Sequence, residues 1–126
     1  MMAWEIEYTD RFDLAWQQLT EDEQQAVSVR VKLLAERGPD LKRPYVDVIT
    51  TSRYPNMKEL IVPKGSSEFR VLFAFDPRRM ALLLILGDKS TNDPTSPNWN
   101  DWYETSVPIA DDIFAVHLNN LANEQT

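Results

Sequence analysis

Trp4-Glu5-Ile6-Glu7-Tyr8 alternates apolar and polar residues, the period of a half-buried strand. Phe12, Ala15, Trp16 and Leu19 then recur at helical spacing and predict a short amphipathic helix starting at Thr9 or Asp10. Thr20-Glu21-Asp22-Glu23 has the form of a capping box, in which Thr20 accepts from the backbone at Glu23 and Glu23 reaches back. A second helix follows, with Ala26, Val27, Val31 and Leu34 on one face and Gly38-Pro39 as its stop. The two form a helical hairpin with one apolar side.

From Leu41 to Asn56, prolines and turn-prone residues break any period, so this stretch reads as an irregular basic connection with a short extended piece at Tyr45 to Ile49. Three strands are predicted at Met57 to Val62, Glu68 to Asp76 and Met80 to Leu86. Pro63-Lys64-Gly65-Ser66 and Asp76-Pro77-Arg78-Arg79 supply the turns of a meander. Ser90 to Asn100 has the composition of a surface loop. Ile109, Ala110, Ile113, Phe114, His117, Leu118 and Leu121 mark a C-terminal helix, preceded by a segment around Trp102-Tyr103 that Pro108 would kink or separate. The order β-α-α-β-β-β-α predicts an α+β fold, with the helical hairpin packed on one face of an antiparallel sheet and the other face partly open.

At 126 residues the chain suits one domain, residues 1–126. It lacks cysteine, which rules out disulfides and thiolate chemistry, and its single histidine rules out a His-rich metal centre. No cofactor or metal is expected. The first residues lack the basic start and apolar run of a signal peptide, and no apolar run approaches the roughly 20 residues of a membrane span. A cytoplasmic protein with no membrane partner is the expectation.

A net charge of -7 argues against a general nucleic-acid binder, because phosphate contacts come from Lys and Arg. The charge is unevenly placed, however. Residues 1–29 and 80–126 each sum to -6, whereas residues 30–79 carry eleven bases against six acids, or +5. The middle of the chain can present a basic face on an acidic molecule, or simply scattered solvated charge.

Residues two apart share a face of a strand. Phe69, Val71, Phe73 and Phe75 form the floor under the helices, so Arg70 points to the open side with Leu72 and Ala74. A guanidinium in mid-strand needs a phosphate, water or an acid, and Glu59 and Asp88 are the acids at hand. Gly87 lets the chain turn after the last strand and aim Lys89 across the sheet end. Lys58, Arg70 and Lys89 would then converge from three successive strands. Such cations can stabilise the charge that builds up when an RNA 2′-hydroxyl attacks the adjacent phosphate. One Lys, its pKa lowered by neighbouring cations, would act as base, with a second Lys or a Tyr as acid. Tyr103, Trp102 and Trp99 can stack on a splayed base or pack in the core. His117 lies on the apolar stripe of the last helix, where a lone histidine is usually an edge-of-core residue.

Met57-Lys58-Glu59-Leu60, Phe69 to Arg79, Gly87-Asp88-Lys89, Tyr103-Glu104, Pro108 to Asp111 and His117-Leu118 together resemble HigB-type, phage-derived members of the RelE/ParE toxin superfamily. The resemblance covers nearly the whole chain, from Trp4 to Leu121. It implies a RelE-like fold and the toxin of a type II toxin-antitoxin system: a metal-independent, ribosome-dependent endoribonuclease, or mRNA interferase, that inhibits translation. It also implies a helix-turn-helix antitoxin as partner, with oligomers formed through it, and the ribosome and mRNA as targets. Lys58, Arg70 and Lys89 match the basic strand residues of RelE-like toxins, and Tyr103 matches their late aromatic. Trp102, His117 and Arg53 complete the expected substrate-binding set. The loop at Ser90 to Asn100 and the acidic balance depart from the family pattern. A ParE-like gyrase poison and a catalytically inactive interaction protein on the same scaffold are the alternatives.

Overall fold

A computed structural model describes residues 3–91 and 101–124. The strands are β1 (Ile6–Tyr8), β2 (Val46–Val48), β3 (Lys58–Lys64), β4 (Ser67–Phe75) and β5 (Ala81–Asp88). The helices are α1 (Asp10–Gln17), α2 (Glu21–Arg37) and α3 (Asp101–Glu124), with single 3-10 turns at Gly38–Asp40 and Lys89–Thr91. The sheet runs β1-β5-β4-β3-β2, antiparallel except that β1 lies parallel to β5.

The helix starts follow from their caps. Thr9 accepts from the Phe12 amide at 3.1 Å, and Thr20 and Glu23 close a reciprocal capping box at 3.2 and 2.8 Å. Gly38 ends α2 with φ +58°, a left-handed conformation that favours glycine, and the Trp4 indole fills the space where a Cβ would stand.

Two cores sandwich the sheet. On one face Leu60, Val62, Phe69, Val71, Phe73, Ala81, Leu83 and Leu86 meet Phe12 of α1 and Val27 and Leu34 of α2. On the other, Leu72, Ala74, Leu82, Leu84 and Ile85 meet Val107, Ala110 and Phe114 of α3. The alternation of β5 breaks at a bulge. Leu72 pairs with Ile85 but Phe73 with Leu83, so Leu84 has no opposite residue. Leu84 and Ile85 consequently both serve the α3 core.

The face expected to stay partly open is therefore covered by α3 for much of its area. The apolar stripe of a 24-residue helix has to be buried, and the second face of the sheet is where it goes. Pro108 does not separate two segments, because α3 runs through it. The proline is exposed, where the Glu104 carbonyl left without its amide donor can turn to water. Beyond Thr91, the expected surface loop and Trp99 lie outside the described residues. Among the described residues no helix is long and apolar enough to cross a membrane.

Candidate active site

Arg70 lies on the α3 side of β4 and is 6% exposed. Burying a guanidinium demands partners, and among the described residues Nε donates to Glu59 Oε1 at 3.2 Å, and Nη1 donates to Glu68 Oε2 at 3.2 Å and to the Phe69 carbonyl at 2.9 Å. The Tyr103 hydroxyl, from the first turn of α3, also donates to Glu59 Oε1, at 3.0 Å. Lys89 places Nζ 5.7 Å from the centre of the Tyr103 ring, a cation over an aromatic face.

Asp88 aims Lys89. Its Oδ1 accepts from the Ser90 amide at 2.9 Å, the Ser90 hydroxyl at 2.6 Å and the Glu68 amide at 3.0 Å, fixing the turn that leaves β5. Burial alone would raise the Asp88 carboxyl, but these hydrogen bonds outweigh it and hold the group below its usual 3.8. Gly87 is needed for a neighbour rather than for its own backbone freedom, since a Cβ there would overlap the Trp102 indole. Trp102 in turn meets the Tyr103 ring edge-on at 5.1 Å, so it is a half-buried packing residue that seats Tyr103.

Glu59 is the electrostatic centre of this group. Burial pushes its carboxyl above the usual 4.5, against the hydrogen bond from Tyr103 and the positive charges of Arg70 and Lys89, while Asp47 adds to the rise. Both Arg70 and Tyr103 bind Oε1. Among the described residues no fully buried side-chain oxygen lacks a partner, so Oε2, which carries no such bond, is reachable from outside. Glu59 itself lines a groove of about 520 Å³, together with Thr50, Thr51, Tyr103, Glu104 and Pro108. Burial and the nearby Glu59 charge push the Tyr103 hydroxyl up to about 12, so it stays protonated as a donor.

The structure brings Arg70, Lys89 and Tyr103 together, but not Lys58. Lys58 pairs with Phe73, and cross-strand partners share a face, so it belongs with Leu60 and Val62 on the helical-hairpin side. Its Nζ lies 5.7 Å from the Phe75 ring centre. The expected gathering of three cations is thus corrected to two cations, Arg70 and Lys89, set among two carboxylates, Glu59 and Glu68. Sequence reasoning treated Glu59 only as an ion-pair partner for Arg70. The signal it held was an acid in mid-strand on the α3-side face, where acids are depleted.

The remaining expected residues are engaged elsewhere. Arg53 pairs through Nη2 with Asp112 at 3.1 Å, and its amide donates to the buried Asp111 at 2.9 Å. Asp111 also accepts from the Ser52 hydroxyl at 2.5 Å, tying the β2–β3 loop to α3. His117 stands about four helical turns from Tyr103. Its Nε2 lies 2.9 Å from Asp76 Oδ2 and its ring stacks on Phe114 at 6.3 Å. Among the described residues no cluster of His, Cys, Asp and Glu is arranged to hold a metal ion.

Comparison with known proteins places this architecture among the RelE-like folds. E. coli RelE superposes on its own with TM-score 0.55 at 11% identity, covering 81% of this chain and 97% of RelE. RelE also superposes within the intact RelBE toxin-antitoxin complex, with TM-score 0.50 at 10% identity over 68% of this chain and 95% of that one. More narrowly, the chain belongs to the phage-derived Gp49-like family (DUF891), whose model matches residues 15–115. Two relatives from Mycobacterium tuberculosis H37Rv are assigned as toxins of the HigB type. HigB3 is 46% identical over 93 residues, 74% of this chain and 75% of HigB3. HigB2 is 43% identical over 93 residues, 73% of this chain but 43% of HigB2, so the match spans less than half of that protein. The chain is a HigB-like protein of the Gp49-like family with a RelE-like fold.

Proposed function

We propose that the chain is the toxin of a type II toxin-antitoxin pair and inhibits translation as a ribosome-dependent mRNA endonuclease. The observation that carries this reading is the buried Glu59 carboxylate on the wall of a groove, with one oxygen anchored by Arg70 and Tyr103, the other left without a bond among the described residues, and Lys89 beside it. Kinship with proteins assigned as HigB toxins supports it.

RNA cleavage needs a group to take the 2′-hydroxyl proton, charge to stabilise the phosphorane, and a proton for the departing 5′-oxygen. Glu59 Oε2 takes the first proton. Lys89 stabilises the phosphorane and supplies the second proton, regaining one from solvent while Glu59 gives one up. Arg70 positions Glu59 and adds positive charge. Two carboxylates balance these two cations and the chain as a whole is acidic, so the site has little to attract free RNA. That favours a message already presented by the ribosome.

The partner in this reading is a helix-turn-helix antitoxin that also mediates oligomerisation, and the setting is the cytoplasm. RelE itself has been solved in complex with its antitoxin. Expression should arrest growth, and a translation assay with mapped cut sites should show cleavage of translated messages. Lys89→Ala should reduce that cleavage about 100-fold, whereas Lys58→Ala should leave it unchanged. Intact messages accompanied by DNA damage would instead indicate a gyrase poison.

A further inference from the structure

The groove beside Glu59 differs in character from the cation-bearing side of the site. Val48, Ile49, Val107 and Pro108 give it apolar walls, and Thr50, Thr51, Glu59 and Glu104 give it polar groups. None of its described lining residues is a lysine or arginine, while Lys89 stands against the Tyr103 ring. A phosphate entering this groove would meet carboxylates with no cation to offset them. An uncharged, flat group rich in hydrogen-bond donors would meet acceptors and apolar walls, which describes a nucleobase.

We propose that this groove seats the base of the nucleotide whose 2′-hydroxyl attacks, and that the Glu104 carboxylate selects guanine there. The inference rests on the nuclease reading above, because Glu59 places the ribose and the scissile phosphate then turns toward Lys89. Guanine alone among the four RNA bases presents two adjacent donors, N1–H and the N2 amino group, on its pairing edge. A carboxylate accepts both at once. Uracil offers one donor between two acceptors, and adenine and cytosine each set an amino donor beside a ring acceptor that would face the carboxylate unpaired. The hydroxyls of Thr50 and Thr51 can donate to guanine O6. Glu104 is exposed and forms no ion pair among the described residues, so its carboxylate is available, and replacing it should not disturb the fold.

The test is a calorimetric titration of the full chain with guanosine 3′-monophosphate and with its adenosine, cytidine and uridine counterparts, together with cut-site mapping during translation. Guanosine 3′-monophosphate should bind about 10-fold tighter than the others, and Glu104→Gln should abolish that difference. In the mapping, guanine should dominate on the 5′ side of the cut in the wild type and lose that dominance among the cuts that Glu104→Gln still makes. Equal binding of all four nucleotides, or a preference untouched by Glu104→Gln, would overturn the proposal and leave the nuclease reading standing. Guanine-selective binding without message cleavage would uphold the groove as a guanine site and overturn the catalytic reading instead.

Discussion

Glu59→Gln is expected to lower message cleavage by about 100- to 10,000-fold, the range over which a positioned general base acts. Glutamine keeps the shape of glutamate and can still accept from Arg70 and Tyr103, but it cannot take a proton. Arg70 retains Glu68 and the Phe69 carbonyl, so the sheet should stay folded, as a thermal melt of the variant would check. The wild-type rate should climb with pH as Glu59 ionises. Because burial first and foremost raises this carboxyl, the climb should lie above its usual 4.5 and be absent in the variant. A variant that cuts as fast as the wild type would remove Glu59 from the chemistry.

The second large effect concerns stability. The Asp76 side chain is fully buried and accepts from Arg78 Nε at 2.9 Å, Arg78 Nη2 at 2.7 Å, the Arg78 amide at 2.9 Å and the Met80 amide at 3.2 Å, with His117 Nε2 at 2.9 Å. Arg78 also reaches Glu7 of β1 at 2.7 Å. One carboxylate thus joins the β4–β5 turn, the edge strand and the C-terminal half of α3. Removing it leaves buried donors unpaired, so Asp76→Ala should destabilise the protein by about 3 kcal/mol, measured by denaturant unfolding.

Its pH dependence has a definite sign. Burial alone would raise the Asp76 carboxyl, but the contacts with His117 and Arg78 outweigh burial and hold it below 3.8. Its contribution is therefore complete above pH 3.8 and is lost as pH falls through the lowered folded value. Asp76→Ala should flatten the stability profile in that acid window. Glu59 runs the other way: with its carboxyl raised, folding is favoured by protonation below pH 4.5, and that advantage fades as pH rises through the folded value.

Local chemistry was the legible part of this sequence. Thr20 and Glu23 announce the start of α2, Gly38 its end, and the apolar run of odd-numbered residues in β4 identifies the hairpin-facing side. Long-range placement was not legible. Periodicity shows that α3 has an apolar face but not which surface it covers, and an unbroken apolar run such as β5 gives no hint of the bulge at Leu84. Lys58 was readable in principle, since Leu60 and Val62, two and four residues on, are both apolar and mark its face as the buried hairpin side. Arg70 was rightly expected to need a partner, and Glu59 was among those named. The base role proposed for Glu59 comes into view only when Tyr103 arrives from a helix 44 residues later in the chain and ties down one of its oxygens.

The central claim is that Glu59 and Lys89 promote attack by the RNA's own 2′-hydroxyl. Its most direct test is the end chemistry of messages cut by the purified protein on translating ribosomes. The mechanism predicts a 2′,3′-cyclic phosphate on the upstream fragment and a 5′-hydroxyl on the downstream one. Fragments bearing a 3′-hydroxyl and a 5′-phosphate would show that water is the nucleophile and would contradict the assignment.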